Sequence, residues 1–185
     1  DGAKMSKSMG NAIDIDLLVN EFGPDATRYF FLREKAIGAD GGFSYEGFMN
    51  RYNVDLANDL GNLVHRGLSM TTKWLGGVVP PMGEWTELET SIARDVAAAV
   101  VEYDLGFDMV TLAERDPKAP ALQLNKALTA VGRIVAAGNK YIDTTEPWAL
   151  NRNGDIERLK TVKRFVLELC HTAGVLLLPV MPNKC

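Results

Sequence analysis

The sequence predicts an all-α fold. Apolar residues recur at three- and four-residue steps through most of the 185 residues, whereas the alternating Val/Ile/Thr-rich runs typical of strands are hard to find. Hydrophobic residues make up 46% of the chain, which is enough for one or two packed cores and too much for a disordered protein. We therefore expect a bundle of four to five helices, preceded by a small N-terminal piece.

Two short helices are predicted before the bundle. Residues 14–22 form the first, which Gly23 ends, and Pro24 suits the first turn of the second. A glycine-rich loop over 38–42 ends that helix, and Ser44 is a suitable N-cap for the next. The later predicted elements are a long helix from Ser44 to about 76, a proline-containing connector over 78–85, a helix over 87–105 with a weaker segment towards 113, a break at 116–120, a helix over 122–146, a polar turn at 151–155, and a last helix over 156–178.

The charge balance limits the kinds of ligand. Lys and Arg number 20 against 24 Asp and Glu, giving a net charge of -4, so bulk positive charge does not hold nucleic acid or a membrane surface. Any contact with nucleic acid must be local.

The few soft ligands argue against a metal site. Cys170 and Cys185 are the two cysteines, and His65 and His171 are the two histidines, so a four-cysteine zinc site and a disulfide framework are both excluded. We predict no metal and a reducing, cytoplasmic location. The longest apolar stretch, 173–180, is far shorter than the roughly 20 residues of a membrane span.

The ends of the chain suggest an excerpt. The sequence begins with Asp1 rather than Met, and it stops at Cys185 with no closing element. We therefore expect further segments outside it.

The segment with the clearest chemistry is Lys4-Met5-Ser6-Lys7-Ser8, which is followed by Gly10. Ammonium groups can follow the developing charge of a polyphosphate, hydroxyl groups can donate to its oxygens, and glycine lets a loop close around it. On composition alone, such a stretch is as well explained by a solvated tail.

In residue order this segment is KMSKS, and it resembles the signature loop of class I aminoacyl-tRNA synthetases. Four other segments are similar to the methionyl members of that class: Gly23–Phe30, Arg51–Leu63, Asn139–Asp143 and Glu146–Trp148. The resemblance implies an anticodon-binding helix bundle over 44–185, preceded over 1–43 by the KMSKS loop and a stem-contact segment.

The resemblance also assigns roles in the loop. Lys4 and Lys7 would be catalytic, with Lys7 contacting the pyrophosphate leaving group, and Lys4, Ser6, Lys7 and Ser8 would bind ATP. The implied cofactor is ATP with Mg²⁺, the implied substrates are methionine and tRNA(Met), and the parent activity is methionine–tRNA ligation. The chain contains no HIGH-type motif, so we expect it to be inactive alone and to need a missing N-terminal Rossmann half.

A second candidate site is a set of three residues. Asn62 and Arg66 lie four apart and share one helix face, and Trp148 follows Pro147 at what we predict to be the end of a helix. An amide, a guanidinium and an indole are suited to reading unstacked RNA bases. The resemblance implies that they bind the CAU anticodon. Without it, solvated surface residues and a tryptophan that plugs the bundle end are the more usual explanation.

Several alternatives stay open. The basic residues that follow Trp148 could meet RNA phosphates or form a solvated helix face: Arg152, Arg158, Lys160, Lys163 and Arg164. The chain could also come from a leucyl, valyl, isoleucyl or cysteinyl synthetase, or be a free-standing non-catalytic tRNA-binding module or a helical scaffold.

Overall fold

The computed structural model describes residues 13–36, 42–108 and 122–185, and within these ranges the chain is helical and has no strand. The all-α prediction is confirmed. The elements are α1 (Ile15–Phe22), α2 (Pro24–Glu34), α3 (Tyr45–Arg51), a π-helical segment (Tyr52–Leu60), α4 (Gly61–Leu75), α5 (Glu87–Phe107), α6 (Leu124–Thr145), α7 (Pro147–Asn153) and α8 (Ile156–Leu177).

Side-chain caps begin the first helices where the sequence predicts them. Asp14 accepts a hydrogen bond from the backbone N–H of Leu17 at 3.1 Å, and Ser44 accepts one from Gly47 at 3.0 Å. Gly23 has a φ of 85° between α1 and α2, a conformation that glycine adopts without strain.

Two predicted elements are wrong in part. The long helix after Ser44 is interrupted by the π-helical segment Tyr52–Leu60, which three- and four-residue apolar spacing does not distinguish from an α-helix. Residues 151–153 belong to α7 rather than to a polar turn. Pro147 favours a helical first turn in α7. The helix is short and its second half is polar, so the sequence shows no apolar period that would identify it.

The apolar side chains form two clusters. The smaller contains Leu18, Phe30 and Phe48 from α1, α2 and α3. The larger is built around α6, which packs against α5 and α8 and buries ten residues. α4 joins this core through Leu63, which is fully buried. The two long helices α6 and α8 therefore form the support on which α4 and α7 sit.

A polar contact joins α2 to the C-terminal turn. The carboxylate of Asp25, which is 2% exposed, accepts hydrogen bonds from the backbone N–H of Asn183 at 2.8 Å and from its side-chain amide at 2.9 Å. Arg28 donates to the carbonyl oxygen of Val180. These contacts fix the end of the bundle against the segment that precedes it.

A buried carboxylate joins the start of α5 to two other helices. Glu89 is 0% exposed and accepts hydrogen bonds from the backbone and hydroxyl of Thr86, from the hydroxyl of Tyr141 and from Arg158. Burial favours the neutral acid, but these donors outweigh it and lower the pKa of Glu89 to about 2. The carboxylate therefore stays ionised and links α5, α6 and α8.

Gly106 lets α5 approach α6 closely. A Cβ at this position would lie 2.7 Å from the Cβ of Ala127 and 3.0 Å from the carbonyl oxygen of Gln123, neither of which can rotate away. We expect Gly106→Ala to lower the free energy of unfolding by about 1–3 kcal/mol, the usual effect of overpacking. Gly132→Ala is the control, since a Cβ there meets nothing within 4 Å. It should stabilise the helix by about 0.5–1 kcal/mol. Equal effects of the two changes in urea unfolding would contradict the close approach.

Candidate functional site

The residues that the KMSKS resemblance assigns to catalysis and ATP lie outside the described residues. These are Lys4, Ser6, Lys7 and Ser8. The three anticodon candidates, by contrast, are all described.

Asn62 and Arg66 lie in the first two turns of α4. Their four-residue spacing places them on one face of the helix, as the sequence predicts. Asn62 is exposed, and the Arg66 side chain keeps 25% of its surface accessible. Both side chains therefore reach solvent from neighbouring turns.

The guanidinium of Arg66 is held by a carboxylate from another helix. Arg66 Nη2 lies 2.6 Å from Oδ1 of Asp143, which belongs to the last turn of α6 and is 65% exposed. An exposed ion pair of this kind contributes at most about 1 kcal/mol to stability. Its main effect is to direct the guanidinium towards the end of α6.

One turn earlier on α6, Asn139 fixes the start of α4. Its side-chain amide donates to the backbone carbonyl oxygen of Asp59 at 2.9 Å, at the end of the π-helical segment. Asn139 and Asp143 are four residues apart and so share one face of α6. Both belong to the segment Asn139–Asp143 that is similar to the methionyl synthetases, and their four-residue spacing was a signal that could have assigned them a role.

Trp148 lies in the first turn of α7, not at the end of a helix as predicted, and it is 39% exposed. The turn before it is formed by Glu146, whose φ of 44° and ψ of 60° put a non-glycine residue in the left-handed region. This conformation ends α6 and starts α7 within one residue. Pro147, which is buried, then anchors the new helix, and the partly exposed Trp148 follows it directly.

The structure thus joins Arg66 to Asp143 in the last turn of α6, and Trp148 follows Asp143 by five residues along the chain. Asn62 lies one turn from Arg66. A fixed guanidinium, an exposed amide and a partly exposed indole offer hydrogen-bond donors and a stacking surface, the groups by which proteins read single-stranded bases.

A metal centre and a membrane span find no support in the described part of the chain. No group of three or more His, Cys, Asp and Glu side chains there is arranged to hold a metal ion. No helix in those ranges is both long and apolar enough to cross a bilayer.

Two protein families match the chain. The family described as tRNA synthetases class I (M) matches residues 1–68, and the anticodon binding domain of methionyl tRNA ligase matches residues 79–185. Among curated relatives, methionine–tRNA ligase of Mesorhizobium japonicum is 41% identical over 183 residues, covering 99% of this chain and 33% of the relative. The Mycobacterium leprae enzyme is 39% identical over 186 residues, covering 99% and 32%.

Solved structures give the same result. Methionyl-tRNA synthetase of Mycobacterium tuberculosis in complex with methionyl-adenylate matches with a TM-score of 0.84 and 35% identity, over 97% of this chain and 33% of that one. The chain therefore spans about a third of the length of the relatives it matches. With matches to both family descriptions and to these relatives over nearly its whole length, the chain belongs to the methionyl-tRNA synthetase family.

Proposed function

We propose that this chain supplies the KMSKS loop and the anticodon-binding bundle of a methionine–tRNA ligase, which attaches methionine to tRNA(Met) with the use of ATP. Family membership supports the reaction, and the order of the two family matches, 1–68 and then 79–185, supports a loop segment followed by a bundle, which we assign to 1–43 and 44–185. Because the chain spans a third of its relatives, the nucleotide-binding half must come from elsewhere. The isolated chain is then inactive in aminoacylation, and the complete enzyme works in the cytoplasm.

In the bundle, Asn62, Arg66 and Trp148 bind the CAU anticodon. The observation that carries this proposal is the ion pair of Arg66 with Asp143, because it holds the guanidinium at the last turn of α6, the helix that ends three residues before Trp148. A preset guanidinium loses little conformational freedom when it meets a base edge. The indole offers a flat surface on which a splayed anticodon base stacks, while Asn62 donates or accepts at a base edge.

In the loop, Lys4 and Lys7 place ammonium groups at the phosphates of ATP, and the hydroxyls of Ser6 and Ser8 add donors. ATP, bound with Mg²⁺, supplies the adenylyl group that activates methionine. Charge stabilisation by positioned cations accounts for most of the protein's contribution in displacements at phosphorus.

The proposal predicts a selective loss of RNA binding in Trp148→Ala. We expect the 185-residue chain to bind an RNA stem-loop with a CAU loop more tightly than one with a scrambled loop, measured by fluorescence anisotropy. Loss of the indole should weaken CAU binding about 10-fold, within the about 1–3 kcal/mol of a base–aromatic stack. Trp148→Phe should retain much of the affinity because it keeps a ring.

Trp85→Phe is the matched control, since Trp85 packs against Phe165 with ring centroids 5.5 Å apart and should not affect binding. Thermal melting of each variant reports on the alternative in which Trp148 plugs the bundle, because a cavity there would cost about 3–5 kcal/mol of stability. A wild-type chain that binds both RNA loops equally rejects the anticodon role.

A further inference from the structure

One basic residue of the group after Trp148 is buried. Lys163 is 0% exposed on α8, and its Nζ donates a hydrogen bond to the backbone carbonyl oxygen of Arg66 at 3.1 Å. The sequence suggests that Lys163 contacts RNA phosphates or lies on a solvated helix face, and its burial excludes both. Its ammonium instead lies beneath the turn of α4 that carries the Arg66 guanidinium.

The contact depends on a close approach of α4 and α8. Gly67, directly after Arg66, is buried, and a Cβ there would lie 3.2 Å from the Sγ of Cys170 and 3.4 Å from Cγ1 of Val166. The absence of a side chain at position 67 lets the helices meet with their backbones close together. A long side chain from α8 can then reach a carbonyl of α4.

The charge of Lys163 has no carboxylate partner in residues 13–36, 42–108 and 122–185. Neighbouring basic residues do have one: Arg158 pairs with Glu89, Lys160 with Glu157, and Arg164 with Glu168. Burial lowers the pKa of Lys163 from its ordinary value of 10.5 to about 8, helped by the charge of Arg66 and opposed by Cys170. Most molecules are therefore protonated at pH 7.

Folding stability alone gains little from this ammonium. A buried, unpaired charge carries a desolvation cost, and an unbranched apolar side chain of the same length would fill the space without it. What the ammonium adds is a directed hydrogen bond from α8 to the backbone of Arg66, whose guanidinium is paired with Asp143 of α6.

We infer that Lys163 is a positioning residue for the anticodon site: its ammonium fixes the backbone of Arg66 against α8 while Asp143 fixes the guanidinium against α6. This rests on the proposed anticodon role of Arg66. The two contacts set the position and direction of the guanidinium before RNA arrives. RNA binding therefore does not bear the free-energy cost of ordering this side chain. Lys163 itself does not touch the RNA.

Lys163→Met tests the inference, because it keeps an unbranched apolar stem one heavy atom shorter than that of lysine but removes the donor and the charge. We expect the variant to melt at the same temperature as the wild type or higher, yet to bind the CAU stem-loop about 10-fold more weakly, the scale of coupling between contacting residues. Lys126→Met is the matched control, since Lys126 is exposed in the first turn of α6 and is given no RNA contact; it removes an accessible charge and should bind like the wild type. Lys163→Gln, which keeps a donor, should restore part of the affinity.

A double-mutant cycle separates positioning from a general loss of charge or structure. In an Arg66→Ala background, Lys163→Met should change the affinity by less than about twofold, because the group it positions is gone. Unchanged CAU binding in Lys163→Met, or the same loss with and without Arg66, overturns the inference. So does a loss fully explained by a lower melting temperature. If the wild type itself does not discriminate CAU from scrambled loops, the proposed function fails instead.

Discussion

Replacing Glu89 with alanine is expected to lower the free energy of unfolding by about 3–5 kcal/mol, the usual cost of breaking a buried ion pair. The carboxylate accepts from Thr86, which caps α5, and from side chains of α6 and α8, and its loss leaves the buried hydroxyl of Tyr141 and the Arg158 guanidinium without their acceptor. Arg158 Nη1 is already buried without a hydrogen-bond partner, so loss of Glu89 would leave a second nitrogen of the same guanidinium without its acceptor. Chemical denaturation of the chain measures the effect.

Glu87→Ala is the matched control, since Glu87 also lies in the first turn of α5 but is exposed. It should cost less than about 1 kcal/mol of stability, through the helix dipole alone.

Glu89→Gln tests how this stabilisation depends on pH. Because folding lowers the pKa of Glu89 from 4.5 to about 2, the ionised carboxylate stabilises the fold fully above pH 4.5 and progressively less towards pH 2. The stability advantage of the wild type over Glu89→Gln should shrink over that window, and a constant difference would contradict the ionised, paired state.

In a complete ligase containing this chain, Lys7→Ala is expected to slow methionine activation about 100-fold, which corresponds to a loss of about 3 kcal/mol from the transition state. The Lys7 ammonium meets charge that develops on pyrophosphate as it leaves, so the KM for methionine should change little. Methionine-dependent ATP–pyrophosphate exchange measures both quantities.

Lys35→Ala provides the control, because Lys35 is exposed after α2 and has no assigned role in the site. Its exchange rate should equal that of the wild type. A higher KM for methionine at unchanged kcat in Lys7→Ala would make Lys7 a ground-state binding residue and remove its transition-state role.

The sequence predicts the elements whose signals are local. Asp14 and Ser44 can cap a helix through their own side chains, and Gly23 ends one by its own backbone freedom, so these boundaries agree with the structure. The sequence does not predict the π-helical segment Tyr52–Leu60, because the spacing of apolar residues does not determine the hydrogen-bond register of a helix. The same holds for α7, whose short polar sequence carries no period.

The candidate site was predictable only in its composition. A four-residue spacing places Asn62 and Arg66 on one face, but no local rule pairs Arg66 with Asp143, which lies 77 residues away. Lys163 shows the limit most clearly: its position among other basic residues favours the surface, and only the close packing of α4 on α8 reveals that it is buried. Contacts between distant segments depend on the assembled fold.

The contact between Asp25 and Asn183 also bears on how the chain folds. Its partners are separated by 158 residues, so forming it early would close a very long loop before any packing compensates for the lost chain entropy. Contacts of such high order are expected to form after the local helices and the α5–α6–α8 core, on the native side of the folding barrier. Weakening this contact should therefore speed unfolding while leaving the folding rate nearly unchanged. The lifetime of the native chain is then set in part by one buried aspartate that has no role in the proposed RNA site.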